Sequence, residues 1–190
     1  MPNPLGVPRL DAPGPPPVVL RPWTADDLGA VRLAAEDPLV SLITSVPACG
    51  DEQDCRAWIA RQHERARERI GWSFAVDDGS GTAVGQIGLW PHPRDRKRAS
   101  IGYWLVGPAR GGGRAAVALA LLAGWAVTPD GTDTGERPFE RLEVYVEPWN
   151  VSSWRTAERC GFRREGLMRS WETVGGQRRD MYMYARLRTD

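Results

Sequence analysis

A chain of 190 residues can bury a core without disulfides or metal, and it is expected to form one folded unit, 18–190, behind a leader, 1–17. Its 25 basic and 24 acidic residues leave a net charge of +1, which excludes the bulk field that draws nucleic acid or an acidic membrane. No apolar run reaches the ~18 residues of a membrane span, and the N-terminus has no signal-like region. Three cysteines without CxxC spacing (Cys49, Cys55, Cys160) exclude a disulfide framework and point to a reducing, cytoplasmic setting. His63 and His92 stand far apart, so no metal site is expected.

Met1 to Pro17 holds seven prolines, a composition that favours neither ladder nor helix, so this stretch is expected to be a disordered leader. Val18 to Trp23 reads as the first strand. Thr24-x-x-Asp27 is a capping-box-like start to a helix with Leu28, Val31 and Leu33 on its apolar side. After a loop through Pro47 and Gly50, Asp51 caps a second helix. Its Cys55, Trp58, Ile59 and Gln62 share one face, and its end is expected at Gly71. Trp72 to Val76 and Ala83 to Trp90 are strands joined by a turn at 77–81. Pro91 to Arg98 reads as a charged loop.

Ala99 to Val106 is the next strand, and it feeds the turn Arg110-Gly111-Gly112-Gly113-Arg114-Ala115, which opens a long apolar helix ending near Val127. A glycine-rich turn between strand and helix presents unpaired backbone N–H groups at the positive end of the helix dipole, a seat for phosphate. Three glycines let a ligand approach the backbone, and Arg110 and Arg114 carry charge of the right sign. Thr128 to Pro138 reads as a mobile connection. Arg141 to Glu147 is a strand, Asn150 an N-cap and Gly161 the C′ residue of a short helix. Arg164 to Val174, the Gly175-Gly176 turn and Arg178 to Leu187 form a closing hairpin. Nine tryptophans read first as packing residues; Trp90, Trp104 and Trp149, at strand ends, are also candidates for a pocket wall. The order of elements predicts an α/β (α+β) fold with a mixed, mainly antiparallel sheet covered by helices.

Five markers in this order, Ile101-Gly102-Tyr103-Trp104-Leu105, Arg110-x-x-Gly113-x-Ala115, Leu142-Glu143-Val144, Asn150-x-x-Ser153 and Gly161-Phe162-x-x-Glu165-Gly166, resemble the GNAT superfamily of N-acetyltransferases. The likeness is closest to the Rim-type branch, which acetylates protein N-termini. It covers about Val18 to Arg188 and implies a single acetyltransferase domain with helices on both faces of the sheet and a splay between two central strands. It also implies an acetyl-CoA site. The pyrophosphate would lie on the amides of Arg110, Gly111, Gly112, Gly113, Arg114 and Ala115. The pantetheine arm would run beside Tyr103 to Val106, touching Trp104, Leu105 and Val106. Asn150 would bond the pantetheine or hold the splayed strand, and Ser153 would stand near the thioester sulfur. From the residues alone, Asn150 is equally a helix cap and Ser153 the N3 residue of that helix.

The implied reaction is direct acetyl transfer from acetyl-CoA to a primary amine, with no covalent enzyme intermediate and no metal. An α-amine of pKa ~8 is roughly 10% neutral at pH 7, whereas a lysine amine of pKa ~10.4 is almost wholly charged. A peptide or protein N-terminus therefore comes first among acceptors, then a small amine such as an amino acid or antibiotic, then a lysine. A catalytically silent acyl-CoA-binding module is the rival reading. Glu143 is the candidate base if burial raises its pKa, or else a structural carboxylate paired with an arginine. Glu147, His92 and Asp95 are further candidates. Backbone N–H groups around Trp104 and Leu105 are the candidate oxyanion donors. Two positions depart from the family pattern: Ala157 stands where many members place a tyrosine acid, and Ser100 where Rim-type strands carry glutamate. The Rim-type likeness is compatible with a homodimer; no nucleic-acid or membrane partner is implied.

Overall fold

Short apolar-rich runs bounded by turn residues lay down strands β2 (Val18–Arg21), β3 (Trp72–Asp77), β4 (Ala83–His92), β5 (Asp95–Leu105) and β6 (Arg141–Val146), with a closing hairpin of β7 (Arg163–Val174) and β8 (Gln177–Leu187). The computed structural model describes residues 6–48, 50–129 and 138–190. It adds β1 (Leu10–Ala12) and joins all eight strands in one sheet, ordered β1-β2-β3-β4-β5-β6-β8-β7. Every neighbouring pair is antiparallel except β5 and β6. The helices are α1 (Leu28–Ala35), α2 (Pro38–Ile43), α3 (Glu52–Arg67), α4 (Arg114–Val127) and α5 (Val151–Arg159). The expected mixed, mainly antiparallel sheet with interleaved helices is what the chain forms.

Side chains of successive strand residues point to opposite faces, and two aromatic clusters show which helix takes which face. Trp72 and Phe74 of β3 meet Trp125 of α4 edge-on, with ring centroids 6.2 and 5.8 Å apart. On the opposite face Trp104 of β5 packs at 6.2 Å against both Trp23 and Trp58, the latter from α3. Trp23 and Trp58 are T-shaped at 5.1 Å. Such pairs add about 0.5–1.5 kcal/mol each beyond their burial. At the sheet's first corner Arg21 bridges two acids, 2.9 Å from Asp77 and 2.7 Å from Asp27. Asp27 in turn accepts from the Thr24 amide at 2.9 Å, as the capping box requires.

Four local expectations are corrected. The leader is not wholly irregular: Leu10–Ala12 pairs with Val18–Leu20, and Val7 is buried, because three residues between prolines suffice for an edge strand whose bonds face one neighbour. Residues 1–5 of that leader lie outside the described residues, as do Cys49 and 130–137 of the connection before β6. The stretch after α1 is not all loop. Asp37 caps α2, accepting from the Leu39 amide at 2.9 Å, and Pro38 sits in its first turn, where no N–H is needed. Pro91 to Arg98 is a tight hairpin continuing β4 into β5, with His92 opposite Asp95. Finally, α3 ends at Arg67 and the left-handed residue after it is Arg69 (φ 56°), not Gly71. Gly71 answers to packing instead: a Cβ there would stand 2.5 Å from the Trp90 ring, and one on Gly88 2.6 Å.

Candidate active site

The parallel pair β5–β6 is the one irregularity that opens the sheet. Its register covers only Arg98–Ser100 against Arg141–Glu143, although β5 runs on to Leu105 and β6 to Val146. Beyond Ser100 the two strands part. The other edge of β5 stays paired to β4, as far as Leu105 opposite Gly85, and the Val106 amide donates to the Val84 carbonyl at 3.0 Å. Alternation along the strand then turns the N–H groups of Tyr103 and Leu105 to the edge that β6 has left, and that of Trp104 toward β4. The donors in the gap are thus Tyr103 and Leu105, rather than Trp104 and Leu105.

A cavity of about 730 Å³ opens at this parting, walled by α2, the end of β5, the glycine turn and α5. Of the residues singled out in the sequence, Trp104, Leu105, Arg110, Gly111, Gly113, Arg114, Ala115, Asn150 and Ser153 line it. Val106, Gly112 and Glu143 do not. Val106 is buried and committed to β4, and Gly112 faces solvent at the turn. Neither Trp90 nor Trp149 forms part of the wall: Trp90 lies over Gly71 and Gly88, and Trp149 is exposed. The sequence reading missed the α2 wall of Leu39, Val40 and Ile43, together with Arg155 and Arg159 of α5. Asp37-Pro38, an N-cap followed by an N1 proline, was the available signal for α2.

The glycine turn holds backbone amides free of protein partners among the described residues. Gly111 and Gly113 both have φ +82°, a conformation that a Cβ disfavours, and Gly113 is the N-cap of α4. Among the described residues, the amides of Gly111, Gly112, Gly113, Arg114 and Ala115 donate to no protein acceptor. They stand at the positive end of a fourteen-residue helix. Arg110 crosses the cavity mouth: its Nε donates to the Leu105 carbonyl at 2.8 Å and its Nη2 to Asp37 at 2.5 Å. Burial pushes the Asp37 carboxyl up, but the Arg110 guanidinium and the Leu39 amide outweigh it and leave the pKa below its ordinary value. The Arg114 guanidinium lies 4.0 Å from Asp78, and its Nε is buried without a partner.

On the far wall, Asn150 Oδ1 accepts from the Ser153 amide at 3.3 Å and the Ser152 hydroxyl at 3.1 Å, so Asn150 caps α5 while lining the cavity. The Tyr103 hydroxyl donates to the Ser153 carbonyl at 3.2 Å. Ala157, one turn further along α5, is fully buried.

Glu143 requires the largest correction. Its side chain is 3% exposed, and the carboxylate accepts from Arg141 Nε at 2.6 Å, Arg98 Nη2 at 2.7 Å and the Tyr145 hydroxyl at 2.9 Å. Burial pushes its pKa up, but Arg141, Tyr145 and Arg98 together hold it below the usual carboxylate value. A carboxylate bound this way is a poor proton acceptor, and the paired, structural alternative is the one realised. Glu147 is also buried, 3.8 Å from Arg179. His92 Nδ1 accepts from the Arg94 amide and Asp95 from the Lys97 amide, so both serve the hairpin turn.

Residues 18–163 match a family profile described as an acetyltransferase (GNAT) domain. A curated relative, an uncharacterized N-acetyltransferase p20 of Bacillus licheniformis, is 25% identical over 174 residues, which span 91% of this chain and 94% of that protein. Among solved structures, Mycobacterium smegmatis RimJ in complex with CoA-disulfide is similar at 26% identity and a TM-score of 0.77, over 95% of this chain and 86% of that one. A GNAT-family acetyltransferase from Bacillus anthracis shares the fold at 20% identity and a TM-score of 0.77, over 96% of this chain and 100% of that one. With the parted strands, the unpaired amides of the glycine turn and a profile match over most of its length, the chain belongs to the GNAT family of acetyltransferases.

Proposed function

We propose that this protein transfers the acetyl group of acetyl-CoA to a primary amine, with the α-amine of a protein or peptide N-terminus as its preferred acceptor. The observation that carries the reading is the loss of β5–β6 pairing after Ser100 and Glu143, beside five unpaired amides at the start of α4. A diphosphate on those amides directs its pantetheine arm along the free edge of β5, where the N–H groups of Tyr103 and Leu105 can bond it or face the thioester oxygen. Fixed backbone donors of this kind stabilise the oxyanion of a tetrahedral adduct without reorganising. Arg110 and Arg114 add positive charge at the turn, and Asn150 presents the rest of its amide to the same cavity.

The preference for an α-amine rests on two supports. Glu143, the first candidate base, is held ionised by three donors and lies outside the cavity wall, so it does not serve an acceptor bound in the cavity. An α-amine, partly neutral at pH 7, needs the least help. The likeness of the five sequence markers to the Rim-type branch, which acetylates protein N-termini, supports the same acceptor class. The test is incubation with acetyl-CoA and a panel of peptides with free N-termini, lysine-containing peptides blocked at the N-terminus, and small amines, read by mass spectrometry. A gain of one acetyl group on free N-termini is expected; acetylation confined to small amines or lysines refutes the acceptor assignment. Acetyl-CoA should also raise the melting temperature by mass action.

A further inference from the structure

The departing CoA thiolate needs a proton, and the α5 position from which a family tyrosine would give it is the buried Ala157. The structure supplies a phenol from a different element. Tyr103 lies on the stretch of β5 that β6 has left, lines the cavity, and reaches across to α5, where its hydroxyl meets the Ser153 carbonyl at 3.2 Å. Its backbone N–H faces the same gap, so one residue borders the space between the strands with both its amide and its ring. We propose that the Tyr103 hydroxyl is the acid that protonates the sulfur leaving acetyl-CoA, a role that rests on the transferase reading above.

The step balances as follows. The amine nitrogen bonds to the thioester carbon and the carbonyl π pair moves to oxygen. The adduct collapses, C=O re-forms, the C–S bond breaks, and its electron pair leaves on sulfur. Sulfur takes the phenolic proton of Tyr103, and the phenolate recovers a proton through solvent from the nitrogen that becomes the amide. Burial holds the phenol above its ordinary value, against the lowering effect of Ser153 and Thr156, so it enters each turnover protonated at neutral pH. Cys160 and Arg159 at the end of α5 act on it with opposite signs, and Arg155 and Glu158 of α5 with Arg110 and Arg114 of the glycine turn line the same cavity. Ser153, which the family resemblance places near the thioester sulfur, meets Tyr103 through its backbone carbonyl and not its hydroxyl.

The experiment compares the wild-type chain, Tyr103→Phe and a chain carrying a fluorinated, more acidic tyrosine at position 103. Tyr103→Phe should lower kcat by about 100-fold, within the usual range for loss of a general acid, with little change in the KM for acetyl-CoA, in CoA affinity or in melting temperature. The fluorinated residue should move the alkaline limb of kcat to lower pH, which a purely structural tyrosine would not do. An active wild type whose kcat survives Tyr103→Phe, or whose alkaline limb stays fixed in the fluorinated chain, overturns this role and leaves the transferase reading intact. A wild type without turnover on any amine refutes that reading and this role with it.

Discussion

Replacing Glu143 by glutamine separates the two roles open to a buried carboxylate on β6. The side chain is 3% exposed and is held by two guanidinium groups and a phenol at 2.6, 2.7 and 2.9 Å. Removing one partner of a buried pair costs about 3–5 kcal/mol. Here the orphaned arginines keep some recourse: Arg98 and Arg141 remain 35% and 20% exposed, and Arg141 still holds Glu165 at 2.9 Å. The expected loss is therefore about 2–3 kcal/mol at neutral pH, or a fall in Tm of roughly 5–10 °C for a chain of this size. Because the folded pKa lies below the ordinary 4.5, this stabilisation is fully present above that value and is lost as pH falls through the folded pKa. Thermal melts from pH 8 downwards should show a constant gap between wild type and Glu143→Gln that closes only on strong acidification. Turnover per folded molecule at a permissive temperature should change by no more than about twofold. A variant as stable as wild type but slower by about 100-fold would refute this reasoning and restore Glu143 as the base.

Gly113→Ala places a Cβ at φ +82° where no atom lies closer than 4.0 Å, so the cost is backbone strain alone, about 1–2 kcal/mol by chemical denaturation, together with weakened acetyl-CoA binding. Gly85→Ala brings a Cβ to 2.3 Å from the Trp104 carbonyl oxygen and 2.5 Å from Leu105, which forces β4 from β5 and should cost about 3 kcal/mol; a neutral variant would contradict the strand register. Asp37→Asn keeps a competent helix cap but removes the negative charge that holds Arg110, so calorimetry should show acetyl-CoA binding about two- to fivefold tighter.

Most of the sheet was legible because its buried strands are short apolar-rich runs between turn residues, and the Gly175-Gly176 turn marked its closing hairpin. The parting of β5 and β6 was legible only through the family resemblance that the glycine turn and Leu142-Glu143-Val144 help to carry. What escaped was set by contacts rather than pattern. Leu10–Ala12 is a strand only because β2 offers an open edge. Gly71 is a glycine because Trp90 occupies the space of its Cβ, which no local helix-ending rule reveals. The role of Glu143 turned on Arg98, 45 residues away in sequence, and on Arg141 and Tyr145 flanking it on the same strand face. The Tyr103 hydroxyl was hidden in a motif read for its backbone, and only the approach of α5 shows where its ring ends.

A crystal structure of this chain with CoA decides whether the glycine turn seats the diphosphate. Diphosphate oxygens are expected within hydrogen-bonding distance of the amides between Gly111 and Ala115, with the pantetheine arm along the Tyr103 and Leu105 edge of β5. A CoA molecule bound away from the glycine turn, or β5 and β6 paired along their whole length, would contradict it.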